Sequence, residues 1–237
     1  MIQTSFGGML SLRAGYRALV IGASGGLGQA FVQALQSDPA CGLVQAISRG
    51  QPCDWDLRDA ASLSELASQF QGPWHLVVDA TGALTLNGQG PEKRLQELNA
   101  ERLMHSLQVN ALGPALLMQQ FSSQLARGER VIWAKLSARV GSIEDNHKGG
   151  WYGYRSAKAA LNQLLQTTAI EWARQRPLAV VVALQPGTVR SALSQPFVGD
   201  DAIDPQVSAQ GLLQALDHLQ PTGRAQFVDY RGQAIAW

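Results

Sequence analysis

The chain is poor in cysteine. It has two, Cys41 and Cys53, in 237 residues, and no Cys-x-x-Cys. This excludes a disulfide-stapled scaffold and fits two free thiols in a reducing compartment, so a cytoplasmic protein is expected. The four histidines, His75, His105, His147 and His218, are scattered and form no His-Glu-x-x-His pair. No metal site is expected. Excess charge is also missing. The net charge is +1 and no Lys/Arg run is present, which gives nucleic acid or an anionic membrane nothing to hold. No apolar run is long enough to span a bilayer. The first residues lack the charged start, apolar run and cleavage site of a signal peptide. Residues 1–14 are expected to form a loosely ordered tail on a single domain covering 1–237.

What is present is an ordinary globular mix, 46% hydrophobic and 16% charged, which can bury a sizeable core. Short apolar runs alternate with amphipathic ones. "YRALVIGAS", "LVQAIS", "HLVVDATG", "RVIWAKLS", "LAVVVALQPG" and "AQFVDY" read as strands. A further short strand is expected before "CDWDLRD", making about seven. Between them, Leu27, Phe31, Ala34 and Leu35 recur at helical spacing. "ASLSELASQF" and "YGYRSAKAALNQLLQTTAIEWARQ" also read as helices. A long helical stretch spans about 97–126 with an irregularity at Pro114. Another helix runs from Pro205 to Leu219 behind an Asp-Pro start. The expectation is an α/β fold: a doubly wound parallel sheet (Rossmann fold) with helices on both faces. The segment 191–203 is the least regular. It reads equally as a lid and as a plain surface connection.

The first strand runs into "GASGGLG", with Gly22, Gly26 and Gly28 in a G-x-x-x-G-x-G pattern and Ser24 and Gly25 in the turn. Glycines let backbone N–H groups approach a pyrophosphate, and the helix N-terminus favours its charge. A ligand-free glycine turn is the plainer alternative. The second strand ends on Ser48 and Arg49, with no carboxylate to take a ribose 2′-hydroxyl. An arginine there can pair with a 2′-phosphate, which argues for NADP(H) over NAD(H), unless Arg49 is a solvated loop residue. Asp56 and Leu57 follow where they can edge the adenine.

Tyr152 and Tyr154 are two apart, so they point to different faces of a helix. Tyr154 and Lys158 are four apart and share a face. A phenol titrates near 10, and a nearby ammonium lowers it toward a useful acid/base range. Ser137 ends a strand at the same edge as the glycine turn, where its hydroxyl can donate to a carbonyl oxygen. A strand-end cap is the plainer reading. Asn110 sits inside a predicted helix, where asparagine is unfavourable. A local kink or an interhelical hydrogen bond would also explain it.

Taken together these residues resemble the short-chain dehydrogenase/reductase family, in its C-factor-like branch. GASGGLG matches the family's glycine motif, and Asn110, Ser137, Tyr154 and Lys158 match its catalytic tetrad in order. "QPGTVRS" resembles the segment that lines the nicotinamide, and the likeness covers nearly everything from Tyr16 onward. The resemblance implies that Tyr154 exchanges the proton and that Lys158 lowers its pKa and binds ribose hydroxyls. Ser137 polarises the carbonyl, and Asn110 holds a relay water. It places the cofactor against Gly22, Ser24, Gly25, Gly26, Leu27 and Gly28, and against Ala80, Thr81 and Gly82 after the next strand. Pro186, Gly187, Val189 and Ser191 complete that wall. Three departures stand out. "DATG" replaces the family's Asn-Asn-Ala-Gly, so the strand edge must be held otherwise. Ser191 replaces a threonine. The stretch from Ser137 to Tyr154 is a few residues longer than usual, and the surplus, Glu144–Trp151, is expected to bulge beside the substrate.

The expected activity is NADP(H)-dependent hydride transfer to and from a small carbonyl or secondary alcohol. Trp151, Tyr152 and Phe197 are candidate pocket walls, or ordinary packing. The alternative is a nucleotide-binding signalling or regulatory protein with little turnover. The resemblance also implies a homodimer or homotetramer.

Overall fold

A computed structural model describes residues 6–190 and 202–237. The expected site residues Ser191 and Phe197 lie outside the described residues. Six strands are present among those described: β1 (Tyr16–Ile21), β2 (Cys41–Ile47), β3 (Leu76–Asp79), β4 (Val131–Leu136), β5 (Ala179–Gln185) and β6 (Gln226–Asp229). They form one parallel sheet in the order β2-β1-β3-β4-β5-β6. The expected seventh strand is a turn, closed by an antiparallel bridge from Ser48 to Gln51. A parallel neighbour needs a crossover of about a dozen residues or more. No helix separates Ile47 from "CDWDL", so the chain cannot return to the sheet there.

Among the described residues six α-helices cover the sheet: α1 (Gly26–Gln36), α2 (Ala60–Ser68), α3 (Ala100–Leu107), α4 (Gly113–Phe121), α5 (Tyr152–Gln175) and α6 (Pro205–His218). One core lies on the α1/α6 face and the other on the α2/α4/α5 face, so apolar strands are buried on both sides. The long helix expected over 97–126 is instead α3 and α4 joined by a π-turn at Gln108–Leu112. Pro114 has no N–H for the Asn110 carbonyl, which is where a regular helix would need one. The loose tail is corrected over its described part. Met9 and Leu12 are buried in the α1/α6 core, and the Met9 N–H donates to the buried Asp38 carboxylate at 2.8 Å. None of the described helices is long and apolar enough to cross a membrane.

β2 and β3 lie on opposite sides of β1, so the strand order reverses there. Such a reversal opens a crevice beyond the carboxyl ends of the strands. Gly22 leaves β1 at φ +84°, and a Cβ on it would lie 3.0 Å from the Ala80 carbonyl carbon after β3. Only glycine permits both that conformation and that approach.

Candidate active site

The site begins where α1 begins. Helices α2, α3 and α6 are capped by Asp59, Asn99 and Asp204, whose side chains accept first-turn N–H groups. α1 has Gly25 as its N-cap and no side-chain cap. Ser24, Gly25 and Gly26 are exposed, so the orphan N–H groups at this end face outward, the arrangement an anionic group needs. Gly28 serves packing. A Cβ there would lie 2.2 Å from the Gly22 carbonyl oxygen, and Leu27 beside it packs on the α1/α6 core.

Arg49 lies exposed in the turn after β2 and makes no hydrogen bond or ion pair among the described residues. Ser48 carries that turn, its carbonyl accepting from Trp55 Nε1 at 2.9 Å. Asp56 is engaged by Arg58, with Nε 2.9 Å from Oδ1, and these hydrogen bonds hold its carboxyl at about 2. Leu57 packs against the start of α4, where a Cβ on Gly113 would meet it at 2.6 Å. Across the crevice the Pro186–Gly187 turn is braced from below. Ser208 Oγ donates to the Pro186 carbonyl at 2.7 Å. Val189 is buried and bridges to Ile203.

The tetrad residues converge at the ends of β3 and β4. Lys158 Nζ donates to the Leu136 carbonyl at 3.1 Å, which ties α5 to the residue before Ser137. The same ammonium group lies 5.5 Å from the centre of the Tyr154 ring. Asn110 is fully buried in the π-turn. Its Oδ1 accepts from the Ala83 N–H and its Nδ2 donates to the Ala83 carbonyl, both at 2.9 Å. The irregularity anticipated at Asn110 is present as the π-turn, but its amide bonds the Ala83 backbone rather than another helix, and so pins the chain after β3. A Cβ on Gly82 would lie 3.1 Å from Asn110 Oδ1 and 3.5 Å from Lys158 Nζ, so glycine keeps the space beside them open.

Burial sets the protonation tendencies of this cluster. It pushes the Tyr154 phenol up from its ordinary value. It drives Lys158 well below the usual lysine value, with the Lys135 charge acting the same way and Asp79 opposing. The lysine's expected pull on the phenol requires a charged ammonium, and in the protein alone burial disfavours that charge.

The departure at "DATG" is resolved by a buried ion pair. Lys135, from β4, donates from Nζ to Asp79 Oδ1 at 3.0 Å and to the Thr81 carbonyl at 2.6 Å. Asp79 Oδ1 also accepts from the Thr81 hydroxyl at 2.6 Å and from the Thr81 N–H at 2.9 Å. Ala80 continues the ladder, its N–H donating to the Ile21 carbonyl at 2.8 Å. Charge thus holds the strand edge where the family uses amides.

The first turn of α5 is held from outside. Its N-cap, Trp151, has a left-handed backbone, φ 55°, and makes no side-chain cap. Glu92, buried in the loop after β3, accepts from the Gly153 N–H at 3.1 Å through Oε2. Its backbone carbonyl accepts from the Trp151 N–H. Ser106 Oγ donates to the Gly153 carbonyl at 3.0 Å. The Trp151 ring meets the Tyr154 ring edge to face at 6.3 Å, whereas Tyr152 makes no ring contact with it. Glu92, Arg102, Leu84 and Ser106 line a shallow recess that ends on Tyr154. The Glu144–Trp151 stretch packs beside this recess, since a Cβ on Gly150 would lie 3.5 Å from the Lys93 carbonyl oxygen.

Three residues at the site were missed from sequence. Asn162 is four residues beyond Lys158 and eight beyond Tyr154, on the same helix face, and it accepts from Ser137 Oγ at 2.7 Å. That spacing was readable. Lys135 was also readable, as a charge inside an apolar strand two residues before Ser137. Glu92 had no signal, because it comes from an irregular loop and meets its partner only through the fold.

Residues 26–226 match the family model described as enoyl-(acyl carrier protein) reductase. The C-signal of Myxococcus xanthus is 31% identical over 144 residues, 60% of this chain and 83% of that protein. The 1-hydroxy-2-glutathionyl-2-methyl-3-butene dehydrogenase of Rhodococcus sp. strain AD45 is 28% identical over 179 residues, 75% of this chain and 73% of that one. The NADPH-bound carbonyl reductase from chicken fatty liver superposes with a TM-score of 0.81 at 22% identity, covering 95% of each chain. From the helix that follows the glycine turn to the last strand, sequence and fold agree, and the chain belongs to the short-chain dehydrogenase/reductase family of oxidoreductases.

Proposed function

We propose that the protein is an NADP(H)-dependent oxidoreductase acting on a small carbonyl compound or secondary alcohol, with Tyr154 as the general acid/base. One observation carries this reading. The hydrogen bond from Lys158 to the Leu136 carbonyl locks the Tyr154–Lys158 face of α5 onto the strand end that bears Ser137. A phenol, a lysine amine and a serine hydroxyl then meet at one strand end.

The dinucleotide supplies or takes up the hydride when bound. The uncapped, exposed α1 N-terminus fits its pyrophosphate, with Gly22 and Gly26 keeping the backbone accessible. The space kept open by Gly82 beside Lys158 and Asn110 fits its nicotinamide ribose. Arg49, exposed and unengaged, favours a 2′-phosphate and hence NADP(H) over NAD(H). The NADPH-bound carbonyl reductase among the similar structures supports the same choice. Tyr154 gives its proton to the carbonyl oxygen in reduction and recovers one from the alcohol in oxidation. Ser137 donates to the oxygen as negative charge develops on it. NADPH consumption with a panel of ketones, aldehydes and quinones tests the reading.

The C-signal relative motivates a second reading, a nucleotide-binding signalling protein without turnover. Against it stands the cost of burying Lys158 beside Lys135, which a pure binding module has no use for.

We further propose a cytoplasmic homodimer or homotetramer. The two unpaired cysteines support a reducing compartment. Met104 and Leu112 on one helical stretch, and Leu164 and Ile170 on α5, are exposed apolar side chains suited to assembly. Light scattering at micromolar concentration should give a multiple of the chain mass. A monomer would contradict the assembly.

A further inference from the structure

Ser137 and Asn162 share a hydrogen bond whose direction can be derived. Ser137 Oγ lies 2.7 Å from Asn162 Oδ1, and both residues are buried. The other end of the Asn162 amide faces the Gly141 carbonyl, with Nδ2 3.5 Å from its oxygen. A carbonyl only accepts, so the NH2 belongs on that side and the amide oxygen on the serine side. An amide oxygen carries no proton. Ser137 is therefore the donor, and its single proton points away from the crevice toward α5.

We propose that Asn162 is a positioning residue for Ser137. It holds the serine hydroxyl proton in the resting site and releases it to the substrate oxygen when negative charge develops there. This rests on the carbonyl/alcohol reading above and adds how Ser137 is controlled. The physical basis is competition for one proton. A neutral amide oxygen and a neutral substrate carbonyl are acceptors of similar strength, so the carbonyl alone does not displace Asn162. An alkoxide is charged, and hydrogen bonds to charged acceptors are about twice as strong as neutral ones. The switch is a rotation about the Ser137 Cβ–Oγ bond. No covalent bond forms or breaks, and the proton stays on Oγ. Ser137 then contributes mainly where the oxygen is most negative, the condition for speeding the chemical step rather than tightening ground-state binding.

The position of Asn162 suits this role. Tyr154, Lys158 and Asn162 occupy successive turns on one face of α5. Glycine at Gly141 brings the loop after β4 against that face, since a Cβ there would lie 2.7 Å from Lys158 Cβ. The Gly141 carbonyl that orients Asn162 is thus set by the same packing that seats Lys158.

The test is a double-mutant cycle on carbonyl reduction with NADPH. Asn162→Leu removes the acceptor, and Asn162→Asp replaces it with a charged one that holds the proton harder. Each is made in the wild type and in Ser137→Ala. Thermal unfolding and NADPH binding identify the folded variants, and either Asn162 variant alone decides the question. For Asn162→Asp the expected result is a fall in kcat of about tenfold with KM within about threefold, whereas in Asn162→Leu the freed proton also meets the ground-state carbonyl, so KM falls about fivefold or more and kcat stays within about threefold. In the Ser137→Ala background the same substitutions should change the residual rate less than about twofold. Equal fold changes in both backgrounds, wild-type kcat in a folded Asn162→Asp, or an unchanged or raised KM in a folded Asn162→Leu would overturn the inference while leaving the activity intact. A wild type that turns over no carbonyl compound overturns the parent reading, and this inference with it.

Discussion

Lys135 and Asp79 form an ion pair with 3.0 Å between Nζ and Oδ1, and both side chains are almost wholly buried, at 1% and 0% exposure. The pair joins β3 to β4 at the edge from which Ser137, Gly82 and Ala83 enter the site. Burial lowers the Lys135 ammonium from its ordinary value, and Asp79 pulls it back. Removing one partner strands the other charge in the core. Lys135→Met should therefore cost about 3–5 kcal/mol of stability, and Lys135→Met with Asp79→Leu should cost less than the single change. Urea unfolding of the three proteins checks this. A loss under about 1 kcal/mol for Lys135→Met would show that the pair is not the brace at this edge.

The cofactor preference rests on a side chain that nothing else among the described residues holds. Arg49→Ala should weaken NADPH binding about tenfold, or about 1.4 kcal/mol, and leave NADH binding within twofold. Fluorescence titration with both dinucleotides measures it. Equal losses for the two would assign Arg49 to general charge attraction.

Lys158 should leave a signature in stability as a function of pH. Burial drives its folded-state pKa well below the ordinary 10.5. Between those two values the unfolded chain holds a proton that the folded protein has released. Stability therefore rises with pH across that window. This contribution is complete above the unfolded value and is lost as pH falls toward the folded one. The Tyr154 shift is upward from 10.0 and acts at more alkaline pH. As pH rises toward 10.5 from below, the urea-unfolding free energy of the wild type should climb relative to that of Lys158→Met, by up to about 1.4 kcal/mol per pH unit. A constant difference between the two proteins would contradict it.

Much of this was legible in the chain. Apolar strands alternating with amphipathic helices specify a parallel sheet, and the glycine turn could be placed at its carboxyl edge. Tyr154 could be told from Tyr152 because helical spacing gives only Tyr154 the lysine. The rest depended on distant contacts. A seventh strand looked plausible locally, but the chain has no crossover there to return it to the sheet. Met9 looked like tail because its partner, Asp38, lies 29 residues on in the loop after α1, and Leu12 because the core that buries it is built by later elements. Glu92 caps α5 from a loop with no periodicity to read. Asn162 and Lys135 were readable from spacing, yet their roles appear only when β3, β4 and α5 are assembled.

The most direct test of the central claim compares NADPH oxidation by the wild type and by Tyr154→Phe over the carbonyl panel, with NADPH binding measured in parallel. Removing a positioned general acid costs about 10²–10⁴ in rate. The account predicts turnover of at least one carbonyl compound by the wild type. It predicts a loss of about a hundredfold or more in Tyr154→Phe, with NADPH still bound. Nucleotide binding by both proteins with the same absence of turnover, or equal turnover by both, would contradict it.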